Sequence, residues 1–64
     1  MKNRIGELRK ERGITQQSLG DSLGMSRQTI ISLENGRYNP SLGLAHAIAK
    51  LFDMSIEEIF IFDE

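Results

Sequence analysis

Arg27 and Gln28 stand side by side, and Ile31 and Ser32 follow one helical turn later. Arginine offers two parallel N–H donors and glutamine a donor beside an acceptor, patterns that match guanine O6 and N7 and adenine N7 and N6 in a DNA major groove. A serine hydroxyl can bond a base edge and an isoleucine can meet a thymine methyl group, so the four residues form a candidate base-reading set. No comparable set exists for catalysis. One histidine and no cysteine leave no nucleophile with its base and no metal cluster, so neither enzyme, cofactor nor metal is expected.

The stretch that must position these side chains is residues 15 to 36, TQQSLGDSLGMSRQTIISLENG. Gln16 to Leu23 sets Leu19 and Leu23 one turn apart beside the small Gly20, which predicts a short helix with an apolar stripe and a close neighbour. Gly24 takes a positive φ without steric cost, so Leu23-Gly24-Met25 can reverse the chain in about three residues. Ser26 is placed to cap a second helix, and Asn35-Gly36 to stop it, giving a helix over about 26 to 35. At 100° per residue Ile30 and Leu33 share its buried face, whereas Gln28, Ser32 and Asn35 point the opposite way with Ile31 and Arg27 on the flanks. An outward face rich in hydrogen-bonding groups but uncharged differs from an ordinary solvated face of Lys and Glu pairs. Thr15 caps the preceding helix and leaves Gln16 and Gln17 in its first turn, where free N–H groups and the helix dipole attract an anion such as a DNA phosphate.

Gln16 and Gly20, GMSRQTI from Gly24 and LENGRYNPSL from Leu33 resemble the phage-repressor and Cro-like helix-turn-helix family, of the xenobiotic-response-element type, and most closely its small stand-alone regulators. The likeness runs from Ile5 to about Phe60. It implies an all-α, five-helix, lambda-repressor-like domain with the helix-turn-helix at helices 2 and 3. It further implies a homodimer that binds a palindromic double-stranded DNA operator and regulates transcription, as a repressor in the first instance. The resemblance gives Gln16 a phosphate contact that also braces Arg27, and it suggests an ion pair between Arg9 and Glu34 across the core. Gln17, Thr29, Asn35, Arg37 and Ser41 are the further phosphate candidates. Two positions depart from the family. Gly20 stands where alanine is general, which lowers helix propensity by about 1 kcal/mol. Ile31 stands where a polar residue is usual, and is either tolerated surface or a thymine contact.

With 64 residues the chain is one domain, residues 1–64, that buries only about 60% of its unfolded surface, so oligomerisation would add stability. The net charge is −1. Residues 1 to 40 carry seven Lys or Arg against four acids, and residues 41 to 64 carry Lys50 against five acids, balances of +3 and −4. This is either a solvated surface with chance asymmetry or a DNA face with an acidic far end. MKNRIGELRK lacks the apolar core of a signal peptide and no apolar run approaches a membrane span, so a cytoplasmic, nucleoid-associated protein without membrane contact is expected.

Outside the motif, Asn3 or a neighbour can cap a first helix that buries Ile5 and Leu8 and ends at Gly13. Gly6 within it should cost roughly 0.5–1 kcal/mol, and nothing in the sequence compensates. Asn39-Pro40 reads as the start of a fourth helix to about Phe52. Its stripe of Leu42, Ala45, Ile48, Ala49 and Phe52, widened by Leu44 and Leu51, serves core, subunit contact or both. His46 is expected on the surface. Ser55 and Glu58 are spaced as a capping box and Met54 and Ile59 as a hydrophobic staple for a fifth helix over about 55 to 60. Phe60, Ile61 and Phe62 must be covered, by closing the core, as a dimer interface or both, with Ile61 to Asp63 extended beside Met1 to Asn3 in a short terminal β pairing. The segment 41–64 is thus scaffold and dimerisation surface. A rival class is an adaptor or antitoxin that keeps the fold and uses its apolar C-terminal half on another protein. The polar set Gln16, Arg27 and Gln28, which an adaptor does not need, favours DNA.

Overall fold

The computed structural model describes residues 1–62, and its five helices begin and end where short-range chemistry directs. They are α1 (Ile5–Glu11), α2 (Gln16–Leu23), α3 (Arg27–Glu34), α4 (Leu42–Phe52) and α5 (Ile56–Ile59). Thr15, Ser26, Ser41 and Ser55 sit in extended conformation before α2 to α5, and each side-chain oxygen accepts the backbone N–H three residues on. These bonds satisfy donors that a helix start otherwise leaves free. At α5 the capping box is complete, since Glu58 Oε1 in turn accepts the Ser55 N–H at 2.9 Å. Those hydrogen bonds from Ser55, together with the charge of Arg4, hold the Glu58 carboxyl below its usual range. Helix α1 starts differently. Arg4 fills the cap position without a side-chain bond, and Asn3 Oδ1 reaches in from one residue farther out to accept the Ile5 N–H at 3.1 Å.

The helices close around Ile5, Leu8, Leu19, Ile30, Leu33, Ala45, Ile48, Ala49, Phe52, Ile59 and Phe60, a set that draws on every helix. Ile14, Leu23, Met25, Leu44, Leu51, Met54 and Ile56 pack against its edge. Around the rim Arg12 places its guanidinium 5.0 Å from the Phe52 ring centroid, which fastens the end of α1 over α4. Among the described residues the two terminal segments meet in an antiparallel bridge between Asn3 and Phe60, flanked by Arg4 N–H donating to Ile59 O at 2.8 Å and Ile61 N–H to Lys2 O at 2.9 Å.

Three expectations need correction. Pro40 lies outside α4, because Ser41 is the cap and the helix starts at Leu42. Leu42 does not join the buried stripe: it is 79% exposed in the first turn, ahead of the point where α4 meets the core at Ala45. Phe60 is not open to a second subunit, being 1% exposed, because the chain turns extended at that residue and drives the ring into its own core. Ile61 and Phe62 remain exposed, and the Asp63 end of the terminal pairing lies outside the described residues. His46 is exposed as expected.

Candidate nucleic-acid interface

The turn between α2 and α3 fixes the presentation of everything on α3. Gly24 adopts φ 68°, and its N–H donates to Asp21 O at 3.3 Å while the Met25 N–H donates to Gly20 O at 2.8 Å. Met25 O in return lies so near Gly20 that a Cβ there would come within 2.6 Å of it. The glycine that breaks the family pattern therefore has a local reason: the turn folds back onto the α2 backbone. Helix α3 starts at the far side of this turn with Ser26 Oγ accepting the Thr29 N–H at 3.2 Å and the two hydroxyls 2.8 Å apart.

On α3, Arg27 and Gln28 are exposed in the first turn, and Ile31 and Ser32 are half-buried one turn later. None of these four residues belongs to the buried core, whereas Ile30 and Leu33 on the opposite face of the helix are fully buried. The flanking candidates are more constrained than the sequence suggests. Gln17 Nε2 donates to Asp21 Oδ1 at 3.0 Å, Ser41 Oγ is occupied by the Leu44 N–H at 3.1 Å, and Thr29 is half-buried against Ser26. Asn35 ends α3 as its C-cap, and Gly36 follows at φ 77°. Arg37 is exposed, with its backbone N–H anchored to Ser32 O at 3.0 Å.

Gln16 is half-buried, and its Nε2 donates to Glu34 Oε1 at 3.2 Å, so its visible partner is Glu34 and not Arg27. Glu34 is itself held by Arg9, Nε to Oε2 at 2.7 Å and Nη2 to Oε1 at 3.3 Å, while Arg9 Nη1 donates to Ile14 O at 2.9 Å. The two side chains are 10% and 12% exposed. This ion pair joins α1 to α3, and Gly6 accounts for the room it needs, since a Cβ at Gly6 would stand 3.2 Å from Glu34 Oε1.

The sequence model of the helix-turn-helix family matches residues 5–59. The chain belongs to the Cro/C1-type helix-turn-helix family. It is 55% identical over 65 residues to an uncharacterised helix-turn-helix transcriptional regulator of Methanothermobacter thermautotrophicus, covering all of this chain and 94% of that one. It is 38% identical over 56 residues to the immunity repressor protein of Bacillus phage phi105, covering 88% of this chain and 39% of the repressor. Among solved structures, the restriction-modification controller protein C.AhdI from Aeromonas hydrophila superimposes with a TM-score of 0.75 at 31% identity, over 86% of this chain and 83% of that one. As a Cro/C1-type protein the chain is a DNA-binding transcriptional regulator and not an enzyme.

Several groups that shape this helix-turn-helix were not legible beforehand. Asn3 Nδ2 donates to Leu33 O at 2.8 Å, and the Met1 ammonium donates to Gly36 O at 2.8 Å and Asn39 Oδ1 at 3.0 Å. Met1 and Asn3 thus tie the N-terminus to the end of α3 and the loop after it, where Leu33 O accepts the Asn3 amide in addition to the Gly36 N–H at 3.1 Å. A polar residue ahead of the first helix was the only hint of this, and it pointed to a cap. Among the described residues no group of three or more His, Cys, Asp or Glu could hold a metal ion, and no helix is long and apolar enough to cross a membrane.

Proposed function

We propose that the protein is a repressor that binds a palindromic operator as a homodimer, with α3 in the major groove of each half-site. The observation that carries the reading is the first turn of α3, where Arg27 and Gln28 stand exposed on a helix capped by Ser26 and braced against α2 by the Gly20–Met25 contact. Side chains at the start of such a helix reach deepest into the groove in this motif. Arg27 pairs with guanine O6 and N7, Gln28 with adenine N7 and N6, and Ser32 with Ile31 extends the contact one turn on. Thr29 on α3 itself and Gln16, Gln17, Asn35, Arg37 and Ser41 around it contact phosphate, positioning the helix without specifying sequence. Gln17, Ser41 and Gln16 each hold a bond within the protein, Gln16 to Glu34 through one of its two amide N–H groups, so the larger share falls to Arg37, the free N–H groups of the α2 first turn and the second N–H of Gln16.

The dimer is supported by a patch that a single domain leaves uncovered. Met1, Leu42, Ile61 and Phe62 are exposed, and an apolar cleft of about 240 Å³ runs between Met1, Pro40, Leu42, Ile56, Phe60 and Phe62. A second copy covering it would set two recognition helices about 34 Å apart, one turn of DNA. Selection from a random duplex library with purified protein tests the whole reading. The expected product is an inverted repeat whose half-sites contain a guanine next to or near an adenine. Failure to bind any duplex in a salt-dependent way would leave the adaptor as the better account, with the same cleft taken by another protein.

A further inference from the structure

Glu34 lies off the reading face, yet groups from two other helices converge on its carboxylate. Arg9 binds both oxygens, at 2.7 and 3.3 Å, and Gln16 Nε2 binds Oε1 at 3.2 Å, while the absence of a Cβ at Gly6 spares Oε1 a tight contact at 3.2 Å. An ion pair explains Arg9. It does not explain why a half-buried glutamine from the first turn of α2, the turn that carries the proposed phosphate contact, commits a donor to the same carboxylate.

The chemistry of the two groups settles how they meet. An ionised carboxylate only accepts, whereas a glutamine amide has two N–H donors on nitrogen and an acceptor oxygen. Binding Glu34 therefore uses one N–H and fixes which end of the amide is which. A glutamine without that restraint can turn its oxygen toward a neighbour, and an oxygen facing a phosphate is repelled. The negative charge of Glu34 would itself oppose a nearby phosphate, but the bidentate Arg9 neutralises it, and Ile14 O holds Arg9 in turn. The ion pair that holds Gln16 is nearly dry and without net charge.

We propose that Glu34 is a positioning residue for DNA binding: with Arg9 cancelling its charge, it holds the Gln16 amide in one orientation, so that the second N–H is offered to a backbone phosphate. The inference rests on the DNA-binding reading above. It gives the ion pair a role beyond stability, and it makes the α2 anchor depend on a residue of α3.

The test is a cycle of full-length wild type, Gln16→Ala, Glu34→Gln and the double variant, titrated with labelled random-sequence duplex at several salt concentrations, with circular dichroism to verify folding. Gln16→Ala should weaken binding about ten- to a hundredfold, the value of one hydrogen bond to a charged group. Glu34→Gln should weaken it by a smaller factor, and the double variant should bind no more weakly than Gln16→Ala alone. Losses that multiply would overturn the positioning role while leaving DNA binding intact, whereas a wild type that shows no salt-dependent binding would overturn both. A second arm needs only the wild type: on titration with duplex, one Gln16 Nε2 proton should shift in the side-chain amide NMR spectrum while the proton bonded to Glu34 stays. Shifts of both protons, or of neither, would refute the proposal even if Glu34→Gln does not fold.

Discussion

Replacing Arg9 by methionine removes three hydrogen bonds at once, to Glu34 Oε2 at 2.7 Å, Glu34 Oε1 at 3.3 Å and Ile14 O at 2.9 Å. The side chains are only 10% and 12% exposed, so little water can take over the solvation of Glu34, which keeps Gln16 Nε2 as its remaining donor. Stranding one charge of a buried pair costs about 3–5 kcal/mol. A chain of this length has a total stability on the order of 3–10 kcal/mol. Arg9→Met should therefore be largely unfolded at room temperature, or unfold at far lower urea than wild type. Replacing both partners, as Arg9→Met with Glu34→Leu, strands no charge and should recover most of the loss. Urea unfolding followed by far-ultraviolet circular dichroism measures all three proteins. A loss below about 1 kcal/mol for Arg9→Met, the value of an exposed pair, would refute the argument. So would a double variant no more stable than the single one.

The glycines give a test of sign: Gly20→Ala, which by helix propensity gains about 1 kcal/mol, should instead destabilise by about 1–3 kcal/mol because its Cβ meets Met25 O at 2.6 Å. A raised melting temperature would contradict this. Phe62→Asp, by placing a charge in the exposed apolar patch, should convert a dimer to a monomer in sedimentation, and finding wild type and variant both monomeric at about ten times the concentration that saturates DNA would defeat the dimer reading. Glu58, whose carboxyl is held below its usual range in the folded state by Ser55, contributes stability present above the unfolded value and lost as pH falls through the lowered folded value. Glu58→Gln should therefore have a smaller loss of melting temperature on acidification than wild type, and equal losses would show that the capping box does not titrate with folding.

Much of this architecture is written locally, and what was not is written across the chain. The caps at Thr15, Ser26 and Ser55, the turn at Gly24 and the stop at Asn35-Gly36 depend on neighbours a few residues away, so residue type and spacing suffice to read them. Asn39-Pro40 misled because Ser41 competes for the same helix start, and a hydroxyl in extended conformation takes the N-cap while proline sits before it. Gly6 was opaque because its reason, the Glu34 carboxylate, lies 28 positions along the chain. Phe60 was ambiguous because an apolar terminal run reads alike whether it closes its own core or a neighbour's, and only the bridge to Asn3 decides which residue turns inward. At the candidate site, the exposure of Arg27 and Gln28 followed from helical periodicity. The engagement of Gln16 with Glu34 did not, since it needs two helices to be placed first.

The central claim is that Arg27 and Gln28 read bases, and it is tested most directly by titrating Arg27→Ala and Gln28→Ala against every single-base variant of the selected operator. Each substitution should cost about 1–3 kcal/mol per half-site on the operator and abolish preference at one base pair, a guanine for Arg27 and an adenine for Gln28, while binding to random duplex changes little. Losses of equal size on every variant, operator and random duplex alike, would assign both side chains to the phosphate backbone and contradict the account.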